Sequence, residues 1–380
     1  MDEALYSNIQ TLIQELESRR NTKLNMLVGV DGFVDEILHV VEKRQDFNNF
    51  TRMKTIESFG ERIIRASGLS TNIEFVSQQV KLGGNGPILA NGLLQLGVHL
   101  TYVGALGETS IHPIFKPLVE KSKTVYSLCD PAHTDAIEFE DGKLMLGKLS
   151  TLENITWQRF KEVVGDAHKI ADIINEAHLI SIVNWTMIPK LSELWEGLIN
   201  EVLPLLPDKD EKPLAFFDLC DPEKRTKSDI LHAMKLLGKF NEKFRAVLGL
   251  NEKELFEIAA VFDIQAPEGV THDDKLKLLA EEVYKSLSIH CLVVHPIKEA
   301  FACSPVGFVH TLGPYCAKPL LTTGAGDNFN AGFCFAQALG LSLQLSITMG
   351  VAASGYYVRN AKSADVNSII TFLNNWARGE

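Results

Sequence analysis

Residues 321–333 read Leu-Thr-Thr-Gly-Ala-Gly-Asp-Asn-Phe-Asn-Ala-Gly-Phe, and this stretch carries the strongest indication of both fold and chemistry. The small residues Gly324, Ala325 and Gly326 allow a tight backbone turn that aims N–H groups at one point. A helix that begins near Asp327 adds the positive end of its dipole. Such a turn suits a phosphoryl group in transfer, and the aspartate at its mouth can accept a proton from an attacking hydroxyl. From these residues alone, the alternative is a flexible turn with Asp327 as helix N-cap.

The composition is that of an ordinary globular protein. The chain has 380 residues, of which 46% are hydrophobic and 22% charged, enough to bury a sizeable core without a metal or disulfide. Its length suggests two or three domains, although a single large α/β unit with an appendage fits equally well. The formal net charge of −11 is spread along the chain. This charge argues against nucleic acid and anionic membranes as partners and leaves small ligands.

Cysteine spacing and the N-terminal segment predict a cytoplasmic protein. The six cysteines lie far apart and include no Cys-x-x-Cys pair, as expected for free thiols in a reducing compartment. The first 20 residues alternate polar and apolar residues at helical spacing, without the apolar core of a signal peptide. No run of the sequence approaches the ~20 apolar residues that span a bilayer. We therefore expect no membrane association.

The second half of the chain alternates strictly between strands and helices. Buried strands are predicted at 179–183, 214–218, 246–249 and 290–295, with helical segments between them, and earlier buried strands at 24–30 and 100–103. This rhythm is typical of a parallel sheet covered by helices on both faces. The sequence therefore predicts an α/β fold with a mainly parallel central sheet.

A different pattern occupies part of the first half. Segments 134–139 and 143–148 flank Asp141-Gly142, a good hairpin signal. Together with strands predicted at 37–41 and 73–80, they indicate a small antiparallel sheet beside the main body.

Two acids follow the first buried strand in the segment Asp31-Gly32-Phe33-Val34-Asp35, and Gly83-Gly84-Asn85-Gly86 leads from a strand into a helix. Open parallel sheets bind ligands at the carboxyl ends of their strands. Carboxylates there can accept hydrogen bonds from neighbouring hydroxyls. Asp31 and Asp35 are therefore candidate contacts for a polyol, the alternative being a solvated turn.

The segment Asn251-Glu252-Lys253-Glu254 directly follows the strand predicted at 246–249. An acid in this place suits Mg²⁺, which keeps several waters and uses few carboxylates. The alternative is a helix start in which Asn251 is the N-cap and the acids occupy the first turn.

The order of these motifs closely resembles that of the ribokinase-like (PfkB) carbohydrate kinases. The turn and helix start at 322–333, called the ring below, are followed by Ala352-Ala353-Ser354-Gly355. Together they are similar to the family's C-terminal signature, and the resemblance covers nearly the whole chain. It implies a ribokinase-like α/β sandwich with a small β-sheet lid over a sugar. It also implies one domain over residues 1–380, with lid strands from about 36–82 and 125–149.

The resemblance implies roles for individual residues on the catalytic and nucleotide side. Asp327 would be the catalytic base, and the amides of Gly324, Ala325 and Gly326 would form an anion hole. Thr323, Asn251 and Glu254 would contact the nucleotide or its Mg²⁺, Glu254 acting through water.

On the substrate side, the family's double glycine corresponds to Gly83 and Gly84. Asp35 best matches the hydroxyl-binding aspartate, and Asp31 competes for that role. The family's usual asparagine is replaced by Ile88, and Asn85 can take over its hydrogen bonds.

Two further departures concern the ions and the nucleotide. Leu321 stands where the family often has an acid linked to monovalent cations, which puts potassium activation in doubt. The Thr-Leu-Gly-x-x-Gly segment of the family would fall at 294–300, where neither glycine is present. His295 and Lys298 in this segment either face phosphates or are a packed histidine and a surface lysine.

The leading hypothesis is an ATP- and Mg²⁺-dependent kinase that phosphorylates a hydroxyl of a sugar, sugar acid or related polyol. An ADP-dependent sugar kinase is the first alternative, because Gly83-Gly84-Asn85 is followed by Ala90-Asn91 and the Thr-Leu-Gly-x-x-Gly segment is missing. A catalytically silent sugar or nucleotide sensor of the same fold is the second. Nucleoside substrates stay open, and the lid is either monomeric or pairs with a partner's lid in a homodimer.

Overall fold

The computed structural model describes residues 3–379, which form fourteen strands and thirteen α-helices. In chain order the strands are β1 (Asn25–Gly29), β2 (Phe33–Arg44), β3 (Phe50–Arg52), β4 (Phe75–Gly83), β5 (His99–Gly104), β6 (Thr124–Ser127), β7 (Ala132–Glu138), β8 (Lys143–Lys148), β9 (Leu179–Ile182), β10 (Leu214–Asp218), β11 (Arg245–Leu250), β12 (Cys291–Val294), β13 (Glu299–Ser304) and β14 (Gly307–Leu312). The helices are α1 (Glu3–Ser18), α2 (Ile56–Arg65), α3 (Asn85–Gln95), α4 (Lys116–Lys121), α5 (Trp157–Val164), α6 (Ala167–Asn175), α7 (Leu191–Gly197), α8 (Lys227–Phe240), α9 (Glu252–Val261), α10 (His272–Ser286), α11 (Ala325–Ala338), α12 (Leu343–Asn360) and α13 (Val366–Arg378).

A large sheet forms the centre of the described residues. Its strand order is β14-β13-β12-β11-β10-β9-β1-β5-β6, and every pair from β12 to β6 is parallel. At one edge of the sheet, β13 runs antiparallel to β12, and β14 runs antiparallel to β13. The predicted α/β class with a mainly parallel sheet is confirmed. β6 is the opposite edge strand of this sheet, although its residues fall in the range expected for the lid.

Two cores lie on opposite faces of the large sheet. Along β10, Ala215 and Phe217 pack into the core beneath helices α5–α10, whereas Leu214 and Phe216 pack into the core beneath α1, α3, α4 and α11–α13. Buried strands with apolar residues on both faces are what a sheet sandwiched by helices requires. In residues 3–379 no helix is long and apolar enough to cross a bilayer.

A second, small sheet contains β2, β3, β4, β7 and β8. Its expected antiparallel arrangement is wrong at one pair, because β2 and β7 run parallel, with Asp35 opposite Thr134. A parallel pair needs a long crossover, and the chain between these strands supplies one through α3, β5 and β6. Helix α2 covers one face of the sheet, where Val40, Phe59 and Phe139 form a small separate core.

Candidate active site

The carboxyl ends of the parallel strands bring polar residues from distant parts of the chain to one edge of the large sheet. Asp31 follows β1, Asn184 follows β9, and Asp218 ends β10. Asn251 follows β11, and His295 follows β12. This edge is where open α/β sheets place their ligands.

Asp31 is fully buried and held on both carboxylate oxygens. Oδ1 accepts from the backbone N–H of Gly86 at 2.8 Å, and Oδ2 accepts from Asn184 Nδ2 at 2.6 Å. The hydroxyl of Tyr102 donates to the backbone carbonyl of Asp31 at 2.7 Å. Burial raises the pKa of Asp31 to about 6, although the hydrogen bonds from Asn184 and Gly86 act in the opposite direction.

Asp35 lies within β2, on the small sheet, and is 5% exposed. Burial raises the pKa of its carboxyl, while the charge of Lys81 and a hydrogen bond from Thr134 lower it. Lys81 is opposite Asp35 on β4, and Thr134 is opposite it on β7. Asp35 is therefore positioned by the strand pairing and not by the loop after β1.

The double glycine packs directly on these two acids. A Cβ at Gly83 would lie 2.3 Å from Cγ of Asp35, and a Cβ at Gly84 would lie 2.8 Å from Oδ2 of Asp31. Gly84 also has a φ of 94° and is the N-cap position of α3. Any side chain at either position would displace a carboxylate, which explains why the sequence has glycine at both.

The ring before α11 has an unusual backbone that several side chains fix. Gly324 is the N-cap residue of α11 with a φ of 91°. Its carbonyl accepts from Asn328 Nδ2 at 2.8 Å, and the Thr323 carbonyl accepts from the hydroxyl of Tyr357 at 2.9 Å. Burial and the charge of Asp327 raise the pKa of Tyr357 to about 12, so its hydroxyl stays a donor.

The amides at the ring are not equivalent. The N–H of Ala325 donates to the carbonyl of Thr322 at 3.0 Å, so this member of the expected anion hole is already engaged. The N–H groups of Gly324, Gly326 and Asp327 have no acceptor among the hydrogen bonds of residues 3–379. These three amides at the start of a fourteen-residue helix form a site for negative charge.

Asp327 lies in the first turn of α11 and is 9% exposed. Burial raises its pKa well above the usual range, and the neighbouring charges of Asp218 and Asp31 raise it further. A hydrogen bond from the side chain of Asn85 acts in the opposite direction. Asn85, the first residue of α3, thus contacts the candidate base directly.

Asp218 and Glu254 form the other half of the acidic cluster. Asp218 accepts from Asn330 Nδ2 at 2.9 Å and from the backbone N–H of Cys220 at 3.1 Å. Glu254 accepts from the N–H of Asn251 at 2.9 Å, and the Asn251 side chain accepts from the N–H of Glu254 in return, which is a capping box. Burial raises the pKa of both carboxyls. The charges of Asp31 and Asp221 raise the pKa of Asp218 further, and the charge of Asp218 raises the pKa of Glu254 further.

The Asn-Glu-Lys-Glu segment forms a helix start with a capping box, and its role toward Mg²⁺ stays a prediction. Asn251 caps α9, and the second oxygen of Glu254 accepts from the N–H of Asp221 at 2.9 Å, which holds the carboxylate at the edge of the sheet. The donors near it are carboxylate oxygens, the kind of ligand Mg²⁺ takes, often through retained waters. The acidic cluster of Asp31, Asp218, Glu254 and Asp327 offers carboxylate oxygens of this kind. No three of these residues bring ligand atoms within 4.8 Å of one another, so a divalent cation here would be held through retained waters.

The ring separates two cavities. One, the small-sheet cavity, has a volume of about 820 Å³ and is lined by residues that include Lys81, Ile88, Leu321, Thr323 and Tyr357. The lining also includes Ile37 and Glu138 of β2 and β7.

The other cavity, the β12 cavity, has a volume of about 370 Å³ and lies on the opposite side of the ring. Thr322, Ala325 and Gly326 line it together with Asn251 and His295. Thr323, expected on the nucleotide side, faces the small-sheet cavity instead, and Thr322 takes the opposite side. Within the described residues Asp31, Asp35 and Asp327 border neither cavity.

His295 replaces the missing glycine-rich segment as a wall of the β12 cavity. Its ring lies 4.8 Å from that of Phe329, and a Cβ at Gly326 would be 3.1 Å from its Cε1. Burial lowers the pKa of His295 to about 4, which keeps the imidazole neutral.

Lys298 lies over the aromatic ring of Tyr315 at 5.2 Å. Trp185 is 1% exposed and donates to Ser192 Oγ at 2.9 Å, a packing role.

Sequence reasoning missed Asp218, Asn184, Asn330 and Tyr357. Asp218 could have been found from the sequence, because it is an acid at the end of a predicted strand. Asp31, which was identified, directly follows a predicted strand in the same way. Asn184 follows β9, and its amide oxygen has no partner within residues 3–379. Tyr357 reaches the ring from a position 34 residues away, a contact that no local pattern announces.

Comparison with known proteins agrees with this geometry. A model of the prokaryotic ketohexokinase family matches residues 1–376. The chain belongs to this family. It is therefore a sugar kinase, a phosphotransferase with an alcohol group as acceptor, and the predicted ribokinase-like family and enzyme class are confirmed.

A curated relative, ketohexokinase of Haloferax volcanii, is 28% identical over 356 residues, which are 92% of this chain and 91% of that protein. The fold is similar to that of ribokinase from Thermotoga maritima, with a TM-score of 0.62, 15% identity, and coverage of 93% of this chain and 99% of that one. Ribokinase of Arabidopsis thaliana, solved with ribose and ATP, gives a TM-score of 0.59 at 14% identity, covering 92% and 98% of the two chains.

Proposed function

We propose that this sugar kinase transfers the γ-phosphoryl group of ATP to a hydroxyl of a ketohexose, with Asp327 as the catalytic base. The family and the Haloferax volcanii relative support the acceptor class. The Arabidopsis thaliana neighbour, which was solved with ATP, supports the donor.

One observation carries the proposal: a single turn of backbone, Thr322–Gly326, borders both cavities, and Asp327 follows it at the start of α11. A sugar in the small-sheet cavity and a nucleotide in the β12 cavity would meet at this turn. The amides of Gly324, Gly326 and Asp327 would then stabilise the charge of the transferring phosphoryl group. The Asp327 carboxylate would accept the proton of the attacking hydroxyl.

On the sugar side we assign Asp35 as the direct hydroxyl acceptor. It lies on the small-sheet face that also carries Ile37 and Lys81, both of which line the small-sheet cavity. Asp31 has both oxygens engaged by Gly86 and Asn184, so we assign it to holding the site together. Gly83, Gly84 and Asn85 let the backbone and the base approach the sugar.

Because Asp35 and Asp327 border neither cavity, the sugar can reach them only if the small sheet moves. We therefore infer that the small sheet is a lid within a single domain of residues 1–380. Val80 and Leu146 share the face opposite Asp35 and are 46% and 49% exposed, an apolar surface that a second copy of the chain could cover. Size-exclusion chromatography with light scattering distinguishes a homodimer from a monomer.

On the nucleotide side we assign Asn251 and Glu254, together with Thr322 and His295 of the β12 cavity. Thr323 lines the small-sheet cavity, and we assign it to the sugar side. Mg²⁺, when bound, supplies positive charge to the phosphates. Glu254, fixed by the backbone amides of Asn251 and Asp221, would hold its hydration waters. The six free cysteines support a cytoplasmic setting.

The test is a phosphorylation screen with ATP and, separately, ADP as donor, over ketohexoses, aldohexoses, pentoses and nucleosides. We expect ATP with a ketohexose such as fructose to give the highest kcat/KM. A preference for ADP would favour the alternative donor, and a preference for nucleosides or aldoses would overturn the ketohexose assignment.

A further inference from the structure

Three potential metal ligands lie together on the small sheet, on the face turned away from Asp35. Successive side chains of a strand point to opposite faces, so Glu36 of β2 and His133 and Asp135 of β7 share the face opposite Asp35 and Thr134. The register places Glu36 directly opposite Asp135, with His133 two residues earlier on the same strand. The pairing of two strands therefore fixes all three side chains.

The three side chains converge on one point. Nε2 of His133 is 2.9 Å from Oδ1 of Asp135 and 3.4 Å from Oε2 of Glu36. The three ligand atoms all lie within 4.8 Å of one another. Both carboxylates face the same nitrogen, Nε2 of His133, which carries at most one proton and so satisfies only one of them well. A cation between the three atoms would satisfy both.

The surroundings resemble those of a bound metal ion. Nζ of Lys148 contacts the other oxygen of Asp135, Oδ2, at 2.8 Å, which orients the carboxylate as hydrogen-bonded outer groups do at metal sites. The side chains are 32%, 28% and 24% exposed for His133, Glu36 and Asp135. They are thus accessible to an ion without being fully solvated.

We propose that Glu36, His133 and Asp135 bind one first-row divalent metal ion. Zn²⁺ is the ion that best fits these three ligands. Such an ion takes imidazole nitrogen and carboxylate oxygen at roughly 2.0–2.2 Å, which spaces neighbouring ligand atoms of a tetrahedral site by about 3.4 Å. The two spacings from Nε2 of His133, 2.9 Å and 3.4 Å, are close to this value. Imidazole favours Zn²⁺, Co²⁺ or Ni²⁺ over Mg²⁺ and Ca²⁺. A fourth position stays open to water.

The ion would clamp β2 to β7 one residue away from Asp35 and Thr134. It lies on the opposite face of the small sheet from the sugar site, so it takes no part in phosphoryl transfer. Its effect is to stabilise the parallel strand pair that carries Asp35. Binding is therefore measurable without any assay of activity, and the proposal stands apart from the proposed function.

The test is calorimetric titration of ZnCl₂ into the full chain, with millimolar Mg²⁺ present to occupy the acidic cluster near Glu254. We expect one equivalent of Zn²⁺ to bind with a Kd below about 100 µM. His133→Ala should weaken binding more than about tenfold, as should the shape-preserving Glu36→Gln. The matched control is His232→Ala, because within residues 3–379 His232 pairs with a single carboxylate, that of Glu196, at 2.9 Å. This variant should bind Zn²⁺ as the wild type does.

The proposal is overturned if the wild type shows no saturable binding, or if the isotherms of wild type and Glu36→Gln overlay. Loss of binding in His232→Ala equal to that in His133→Ala would also overturn it. Co²⁺ provides a spectroscopic check. A d–d spectrum without thiolate charge-transfer absorption supports the His-carboxylate site, whereas a thiolate band would place the ion on the cysteines.

Discussion

Four single residues of the site are buried acids, and burial disfavours the negatively charged form of each. They are Asp31, Asp218, Glu254 and Asp327. Each is held by amide groups: Asn184 on Asp31, Asn330 on Asp218, Asn251 on Glu254 and Asn85 on Asp327. The raised pKa of Asp327 makes it a stronger base than a surface aspartate. A kinase benefits from this arrangement because a hydroxyl gives up its proton reluctantly.

Tyr357 is expected to be a positioning residue for the ring. In Tyr357→Phe the carbonyl of Thr323 loses its hydrogen bond, and the backbone before Gly324 is less well fixed. Since a neutral hydrogen bond contributes about 0.5–1.5 kcal/mol, we expect kcat to fall about two- to tenfold with little change in ATP affinity. Steady-state kinetics with Tyr356→Phe as control decides it. Equal effects from both tyrosines would remove the special role of Tyr357.

Sequence patterns identified the candidate site residues that belong to recognisable motifs. The ring at 322–333, the double glycine and Asn251–Glu254 all lie at the edge where parallel strands end. Asn184 and Tyr357 have no such signal, because their partners, Asp31 and Thr323, are 153 and 34 residues away. Only the three-dimensional packing of β9 and α12 brings them to the site.

The start of helix α9 has a capping role in the structure and, in the proposed function, a second role toward Mg²⁺. Glu254→Gln keeps the shape of the capping box but removes the charge. We expect the Mg²⁺ concentration for half-maximal rate to rise several-fold while the KM for sugar stays the same. Glu257→Gln, one turn further along α9, is the matched control. Superimposable Mg²⁺ titrations of wild type and Glu254→Gln would reduce Glu254 to a capping residue.

In the proposed function, Asp35 on the small sheet accepts a hydrogen bond from a sugar hydroxyl once the small sheet has moved. Because a hydrogen bond to a charged group contributes roughly 1.5–3 kcal/mol, Asp35→Ala should weaken sugar binding about ten- to a hundredfold. Nucleotide affinity should be nearly unchanged. Calorimetric titration of sugar and of nucleotide into Asp35→Ala and Asp31→Ala separates the two acids. If Asp31→Ala affects sugar binding more at equal foldedness, the assigned roles exchange.

The elements themselves were predictable where periodicity was strong. Strands such as β10, predicted at 214–218, were located correctly because continuous apolar runs mark buried parallel strands. The parallel pairing of β2 with β7 was not predicted, since the hairpin signal at Asp141-Gly142 describes only β7 and β8. The edge strand β6 has no run of buried residues, since all four of its residues are partly exposed. Its sequence therefore lacks the continuous apolar run that identified the central strands of the large sheet.

For the molecule as a whole, the buried acidic cluster implies that the free energy of unfolding of the ligand-free protein falls as the pH rises. The pKa of Asp31 rises from 3.8 to about 6 on folding, chiefly through burial. The folded state therefore binds a proton that the unfolded state has released between these values. The stability contributed by protonated Asp31 is present below pH 3.8 and is lost as the pH rises through about 6.

Asp31→Asn removes this charge while keeping the shape, and the unpartnered Oδ1 of Asn184 can rotate to accept from the new amide. We expect the variant's gain in free energy of unfolding over wild type to grow with pH, by on the order of 3 kcal/mol between pH 4 and pH 8. Urea unfolding of both proteins without ligands across this range checks it. A difference that is independent of pH would mean that Asp31 is not the titrating group.

The assignment of Asp327 as catalytic base is tested most directly by the turnover of Asp327→Asn on the best sugar found in the screen. Loss of a positioned base typically costs on the order of 100- to 10,000-fold, so kcat should fall by that factor. The circular dichroism spectrum and the affinity for ATP should be nearly those of the wild type. A folded Asp327→Asn variant that phosphorylates the sugar at a rate close to wild type would contradict the assignment.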